Sequence, residues 1–206
     1  MILSEKEIRA YSKKQDMPLI DPFFEKQLQG ASYDVSMSSN IAILKNAGKV
    51  IDPLDDEDLS GLYEKKNIGR EGYLLTPGEY ILVELREKIQ IPNKMVAFIR
   101  PRTRFTRMGI LIAEQYCNPT YEGILYIGVF NAGVNSFLLR PEIQIAQIIF
   151  EEIESVPDET KLYKNKINAV YNQEKGFRPS KFGEAGWSYE MKKTYQGILT
   201  SLSEGN

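Results

Sequence analysis

Between residues 73 and 150 the chain repeats one pattern: a short apolar run, then a turn signal. Tyr73–Leu75 is followed by Thr76-Pro77-Gly78-Glu79, Tyr80 to Leu85 alternates, and Pro92-Asn93 marks another turn. Met95–Ile99, Ile110–Ala113, Ile124–Phe130, Ser136–Leu139 and Ile145–Phe150 complete the series. Runs this short, at this spacing, are too brief for helices and fit a sheet folded on itself as a sandwich or jelly roll. At 206 residues and 42% hydrophobic, one domain with a sizeable core is expected.

The two ends read differently. Ser4 and Glu7 have capping-box spacing, which predicts a short helix with Ile8 and Tyr11 on its apolar face, ended by Pro18 and Asp21-Pro22. Residues 49–72, with Asp55, Asp56, Glu57 and Asp58 beside Gly61, Gly69 and Gly72, predict mostly loop. Residues 157–188 are polar and rich in turn formers. Residues 189–202 place Met191, Tyr195, Ile198 and Leu202 on one side of a second helix.

Residue usage limits the chemistry. There is no histidine, so histidine triads, histidine zinc sites and histidine bases are excluded, and zinc-dependent deamination with them. Cys117 is the single cysteine; it is read as a small buried apolar residue, because no histidine could activate it as a nucleophile. Proton transfer must fall to Asp, Glu, Lys, Tyr, Cys or water. A net charge of −2 gives no general basic face for nucleic acid. The N-terminus lacks a signal-peptide pattern and no stretch reaches the ~18 apolar residues of a membrane helix, so a soluble cytoplasmic chain is expected.

Several segments, in order, resemble the dCTP deaminase branch of the dUTPase superfamily. They are Ile2 to Phe23; Gln29-Gly30-Ala31-Ser32-Tyr33-Asp34-Val35; Thr76-Pro77-Gly78-Glu79-Tyr80; Arg100-Pro101-Arg102-Thr103-Arg104-Phe105-Thr106-Arg107-Met108-Gly109; Asn118-Pro119-Thr120-Tyr121-Glu122-Gly123; Arg140 to Gln147; and Tyr171 to Lys181. The resemblance implies a mainly β, distorted jelly-roll fold over residues 1–181; residues 182–206 lie beyond it and are read as a C-terminal extension, a helix that serves as lid or trimer packing. It also implies a homotrimer with sites between subunits. A small nucleotide would bind there through Arg102, Thr103, Arg104, Arg107, Asn118, Tyr121, Gln147, Tyr171, Lys175, Ser180 and Lys181. Guanidinium groups suit phosphate because they present paired donors. Mg²⁺ would enter with the ligand's phosphates; no zinc, membrane or nucleic-acid partner is implied.

The departures carry as much weight. In the resembled enzymes a third-motif Asp and a Glu ten residues later are catalytic; here these positions are Asn118 and Gly128. An amide can hydrogen-bond a sugar hydroxyl but cannot accept the proton. Gly128 would enlarge the base pocket. Arg104 replaces a small hydroxyl residue, Glu142 a turn glycine and Val170 a lysine, while Glu174 falls near an expected glutamine that a one-residue slip would assign to Gln173. Tyr121 and Tyr126 read as packing residues rather than base-stacking ones. Three readings follow: a non-catalytic nucleotide binder, an active dCTP deaminase or dUTP diphosphatase with a relocated carboxylate such as Glu122 or Glu114, and a protein-interaction module. The loss of both carboxylates favours the first.

Overall fold

The computed structural model describes residues 1–46, 48, 61–166, 169–179, 193–198 and 200. The chain opens with α1 (Glu5–Ser12), capped as expected: Ser4 accepts from the backbone of Lys6 and Glu7 reaches back to the backbone N–H of Ser4. Ile8 is fully buried, which docks the helix on the sheet.

Eleven strands follow among the described residues: β1 (Ile20–Asp21), β2 (Tyr33–Leu44), β3 (Tyr63–Asn67), β4 (Tyr73–Leu75), β5 (Tyr80–Gln90), β6 (Met95–Pro101), β7 (Ile110–Ile112), β8 (Gln115–Cys117), β9 (Glu122–Asn131), β10 (Phe137–Leu139) and β11 (Gln144–Glu152). One helical turn, α2 (Thr103–Thr106), follows β6. The main sheet runs β7-β9-β5-β2-β11-β6-β8, with β1 added on β5 and β3 on β2, while β10 and β4 form a separate pair. Every pairing among these strands is antiparallel. The fold is mainly β, as the apolar runs require.

Irregularities in register bend this sheet. They fall between Met37 and Ile41 where β2 meets β5, between Glu84 and Lys88 where β5 meets β9, and between Gln144 and Ala146 where β11 meets β2. Such bulges increase local twist and let one strand serve two layers. β2 does so: its first residues pair with β11 and its last with β3 and β5. The enclosed core includes Tyr33, Val35, Met37, Ile81, Leu85, Ile127, Ile148 and Phe150.

Three expectations needed correction or fall outside the described residues. β3 occupies part of the segment read as loop; its Tyr-Glu-Lys-Lys-Asn sequence is mostly exposed and pairs through its backbone with β2. β2, the longest strand at 12 residues, was not anticipated as one. In the C-terminal segment residues 193–198 and 200 are helical, with Tyr195 and Ile198 exposed; Met191 and Leu202 lie outside the described residues.

Candidate functional site

The register of β5 and β9 builds one wall of a cleft. Leu82 faces Gly128 and Glu84 faces Tyr126 as direct partners, and Tyr80 faces Phe130. Alternate residues share a face, so Tyr80, Leu82, Glu84, Tyr126 and Gly128 present to the same side. The polar tail supplies the opposite wall. It is strapped to the start of β9 by backbone bonds: Gln173 N–H donates to Glu122 O at 2.6 Å, and Ile124 N–H to Glu174 O at 3.0 Å. Asn172 Oδ1 accepts from Glu122 N–H at 3.2 Å, and Phe177 N–H donates to Tyr126 Oη at 3.0 Å. Gly123 permits this approach: a Cβ there would stand 2.9 Å from Tyr121 Oη and 3.1 Å from Glu174 N.

The result is a cleft of about 380 Å³ walled largely by aromatic rings, among them Tyr63, Tyr80, Tyr126, Tyr171 and Phe177. Phe177 packs edge-on against both Tyr63 and Tyr126. Polar groups converge in it. Asn118 lines it, and so does Tyr121, whose buried hydroxyl has no hydrogen-bond partner among the described residues. Glu174, only 5% exposed, adds a carboxyl to the same cleft and accepts from Arg178 N–H at 2.9 Å. Burial pushes that carboxyl up from its ordinary 4.5 to about 7, and the neighbouring Glu84 acts in the same direction.

Gly128 does not enlarge the cleft as expected. A Cβ at this position would collide with the Tyr80 hydroxyl and lie 2.9 Å from Tyr80 Cζ, so the neighbouring strand has filled the space. Glu84 is held by Ser38 Oγ at 2.8 Å, by Asn40 Nδ2 at 2.9 Å and by the Tyr126 hydroxyl.

The other expected site residues divide. Asn118, Tyr121 and Tyr171 share the cleft and Lys175 lines the hollow beside it. Arg102, Thr103, Arg104, Arg107 and Gln147 line neither. Arg102 pairs with Asp34 at 2.6 Å and donates to Gln144 Oε1 at 2.7 Å, while Thr103, Arg104 and Arg107 are exposed around α2. Gln147 stands opposite Asp34 on β2 and Arg100 on β6. Glu122 binds Lys88 Nζ at 2.5 Å, and that contact holds its carboxyl below the usual range. Glu114 is exposed and pairs with Arg100. Neither lines the cleft. The Cys117 thiol is buried and pushed up to about 12. Ser180 and Lys181 lie outside the described residues. Thr120 and Glu142 have positive φ values of 65° and 68°, the latter at the position where the resemblance expects a turn glycine. Glu174, Tyr80 and Glu84 went unsingled as cleft residues; strand register and tail path, not local pattern, bring them together.

The structure superposes on the 2′-deoxycytidine 5′-triphosphate deaminase of Agrobacterium tumefaciens with a TM-score of 0.60 and 20% identity, over 73% of this chain and 48% of that one. By sequence the chain belongs to the dCTP deaminase-like family, whose pattern matches residues 2–153. It is 31% identical to the dUMP-forming dCTP deaminase of Dictyoglomus turgidum over 88% of this chain and 94% of that protein. It is 30% identical to the protein of the same name from Hydrogenobaculum, over 88% and 96%.

Glu174 gives a direct test of the cleft. Its protonated form is favoured in the docked tail, so its contribution is complete below about 4.5 and is lost as pH rises through about 7. Glu174→Gln should therefore melt higher than the wild type at pH 8, by up to ~3 kcal/mol, with the gap closing toward pH 5. Melting curves at the two pH values check this; a gap independent of pH would mean that the carboxyl is hydrated and not buried against the tyrosines.

Proposed function

We propose that this chain is a nucleotide-binding member of its family that holds a nucleotide without deaminating it by the family's route. One observation carries the reading: residue 128 has no side chain, and a Cβ added there would run into the Tyr80 hydroxyl and ring. Asn118 removes the second carboxylate. What remains suits binding: aromatic faces for a base and the Asn118 amide for polar recognition. Such a chain would sense or sequester its ligand.

We further propose that it assembles as a trimer. Arg102, Thr103, Arg104, Arg107 and Gln147 are separate from the cleft within one chain, and a neighbouring subunit offers a way to unite the two groups. Among the described residues no three acidic or cysteine side chains cluster to hold a metal. Mg²⁺ would then be held by ligand phosphates and water.

The experiment is incubation of the protein with Mg²⁺ and each deoxynucleoside triphosphate, dUTP included, with product analysis by ion-pair chromatography beside a melting curve. The expected result is no conversion, with one nucleotide raising the Tm by about 5 °C or more at 100-fold excess over Kd. A second reading, turnover through another carboxylate, is favoured by Glu174 in the cleft with its carboxyl near 7, a value suited to acid–base exchange. Uracil product that disappears in Glu174→Gln would establish it in place of the first.

A further inference from the structure

Aromatic rings dominate the cleft, and they do not choose between bases. Every base has a π-face, so stacking on Tyr63, Tyr80, Tyr126 or Phe177 gives affinity without selectivity. The choice falls to the polar side chains of the lining. Among the described residues Glu174 supplies the one carboxyl there, and it is buried. The segment that carries it is strapped to β9 through Asn172, Gln173 and Glu174, so the carboxyl is held in place and not on a loose loop.

The chain itself uses only part of this carboxyl. Oε1 accepts from Arg178 N–H at 2.9 Å, while the Arg178 guanidinium is bonded to Val170 O at 2.7 Å. Among the described residues Glu174 forms no salt bridge. The charges that act on it are Glu84 of β5, which repels it, and Arg178, which attracts it. Tyr126 of β9, with Tyr121 and Tyr163, are the other titratable groups within its influence. A carboxylate carries about four lone-pair sites on two oxygens, so one backbone N–H leaves most of its acceptor capacity to a ligand.

Base edges differ in what they bring to a carboxylate. Guanine presents a ring N–H beside an exocyclic amine, two donors that match two acceptor oxygens. Cytosine and adenine present one amine beside a ring nitrogen that is itself an acceptor. Uracil and thymine set their ring N–H between two carbonyls. An ionised carboxyl therefore gains a paired, charge-assisted contact from guanine and meets an opposing acceptor on each of the others. We propose that the cleft selects a guanine nucleotide, and that Glu174 is the residue that reads the base, through its ring N–H and its amine. The proposal rests on nucleotide binding as the function of the cleft and leaves the phosphates to the arginine motif. It names a base other than the one in the names of the chain's relatives.

The test is calorimetric titration of the wild type and of Glu174→Gln with dGTP, dATP, dCTP and dUTP, with Mg²⁺ at pH 8. The wild type should bind dGTP about 10-fold or more tighter than the other three. Glu174→Gln keeps the size of the side chain but sets an amide donor against guanine's two donors. It should therefore lose about 10-fold or more for dGTP and gain for dATP and dCTP, whose amine and ring nitrogen match an amide. A purely structural role for Glu174 would shift all four nucleotides together and leave their order unchanged. At pH 5.5, where the carboxyl is protonated, wild-type binding of dGTP should weaken about 10-fold or more relative to that of dATP. Equal dGTP affinity in the two proteins, or another triphosphate bound tightest by the wild type, overturns the guanine reading and leaves nucleotide binding in the cleft standing. If no triphosphate binds, the proposed function falls and the guanine reading with it. Chromatography of the titrated mixtures reads turnover separately: a dGTP preference that requires Glu174, in a protein that also converts a nucleotide, supports the base reading and removes the non-catalytic one.

Discussion

Replacing Arg102 with alanine should cost the protein about 3 kcal/mol of stability at neutral pH, the largest loss expected from any one surface-reaching side chain. The cause is its partner. The Asp34 side chain is 3% exposed and that of Arg102 is 21% exposed, so the pair sits at the edge of the interior. Asp34 Oδ2 accepts from Arg102 at 2.6 Å and from Gln29 Nε2 at 3.0 Å. Burial pushes the Asp34 carboxyl up, and the guanidinium of Arg102 opposes that push more than any other group. Without Arg102, the Gln29 amide and the more distant charge of Arg104 are left to support a buried negative charge.

Two further measurements separate this account from a simple loss of packing. A carboxyl raised still further in the variant favours the protonated folded state, so the deficit should shrink as pH falls toward 4 and widen toward 8. Asp34→Asn in the Arg102→Ala background should recover most of the loss, because it removes the stranded charge. Urea unfolding at pH 4.5 and 7.5 reads both effects. A loss below about 1 kcal/mol, the size of an exposed pair, would mean that Arg102 is free to leave Asp34 and reach a ligand.

That arginine shows where sequence and structure part. The motif around Arg102 was visible, and its chemistry suggested phosphate. The contact that commits the side chain within one chain is with Asp34, 68 positions earlier, through the β2–β11–β6 ladder. Local signals were legible where local physics decides, as at the Ser4–Glu7 capping box and the apolar runs of β5, β9 and β11. β2 escaped notice because Asp34, Ser36, Ser38, Ser39 and Asn40 break its apolar pattern. It is nonetheless central, and Glu84 and Glu87 from β5 satisfy several of those polar groups. β3 escaped because an exposed edge strand has no apolar face to show. Glu174 lies in a polar tail that meets β9 largely through backbone pairing, which side-chain pattern does not encode.

Gly128 is the sharpest case, and it yields the second large effect. Read alone, a glycine in place of a carboxylate leaves room. Read in register, Leu82 is its direct partner and Tyr80 its diagonal neighbour across β5, close enough for a large ring to cover it. Restoring the acid by Gly128→Glu should therefore cost about 1–3 kcal/mol through overpacking against Tyr80. It should produce no uracil from dCTP, because the Tyr80 ring crowds the new side chain and Asn118 remains an amide. Tyr80→Leu beside Gly128→Glu should recover the melting temperature by vacating the space. Its deamination should remain about 10²–10⁴-fold below what a positioned base supplies, because the polar groups around the ligand are unchanged. Melting curves and product chromatography on the two variants check both halves. If Gly128→Glu is as stable as the wild type, Tyr80 swings aside readily and the cleft is open. If the double variant converts dCTP efficiently, the missing acid alone separated this chain from catalysis, and the tyrosine is what now excludes it.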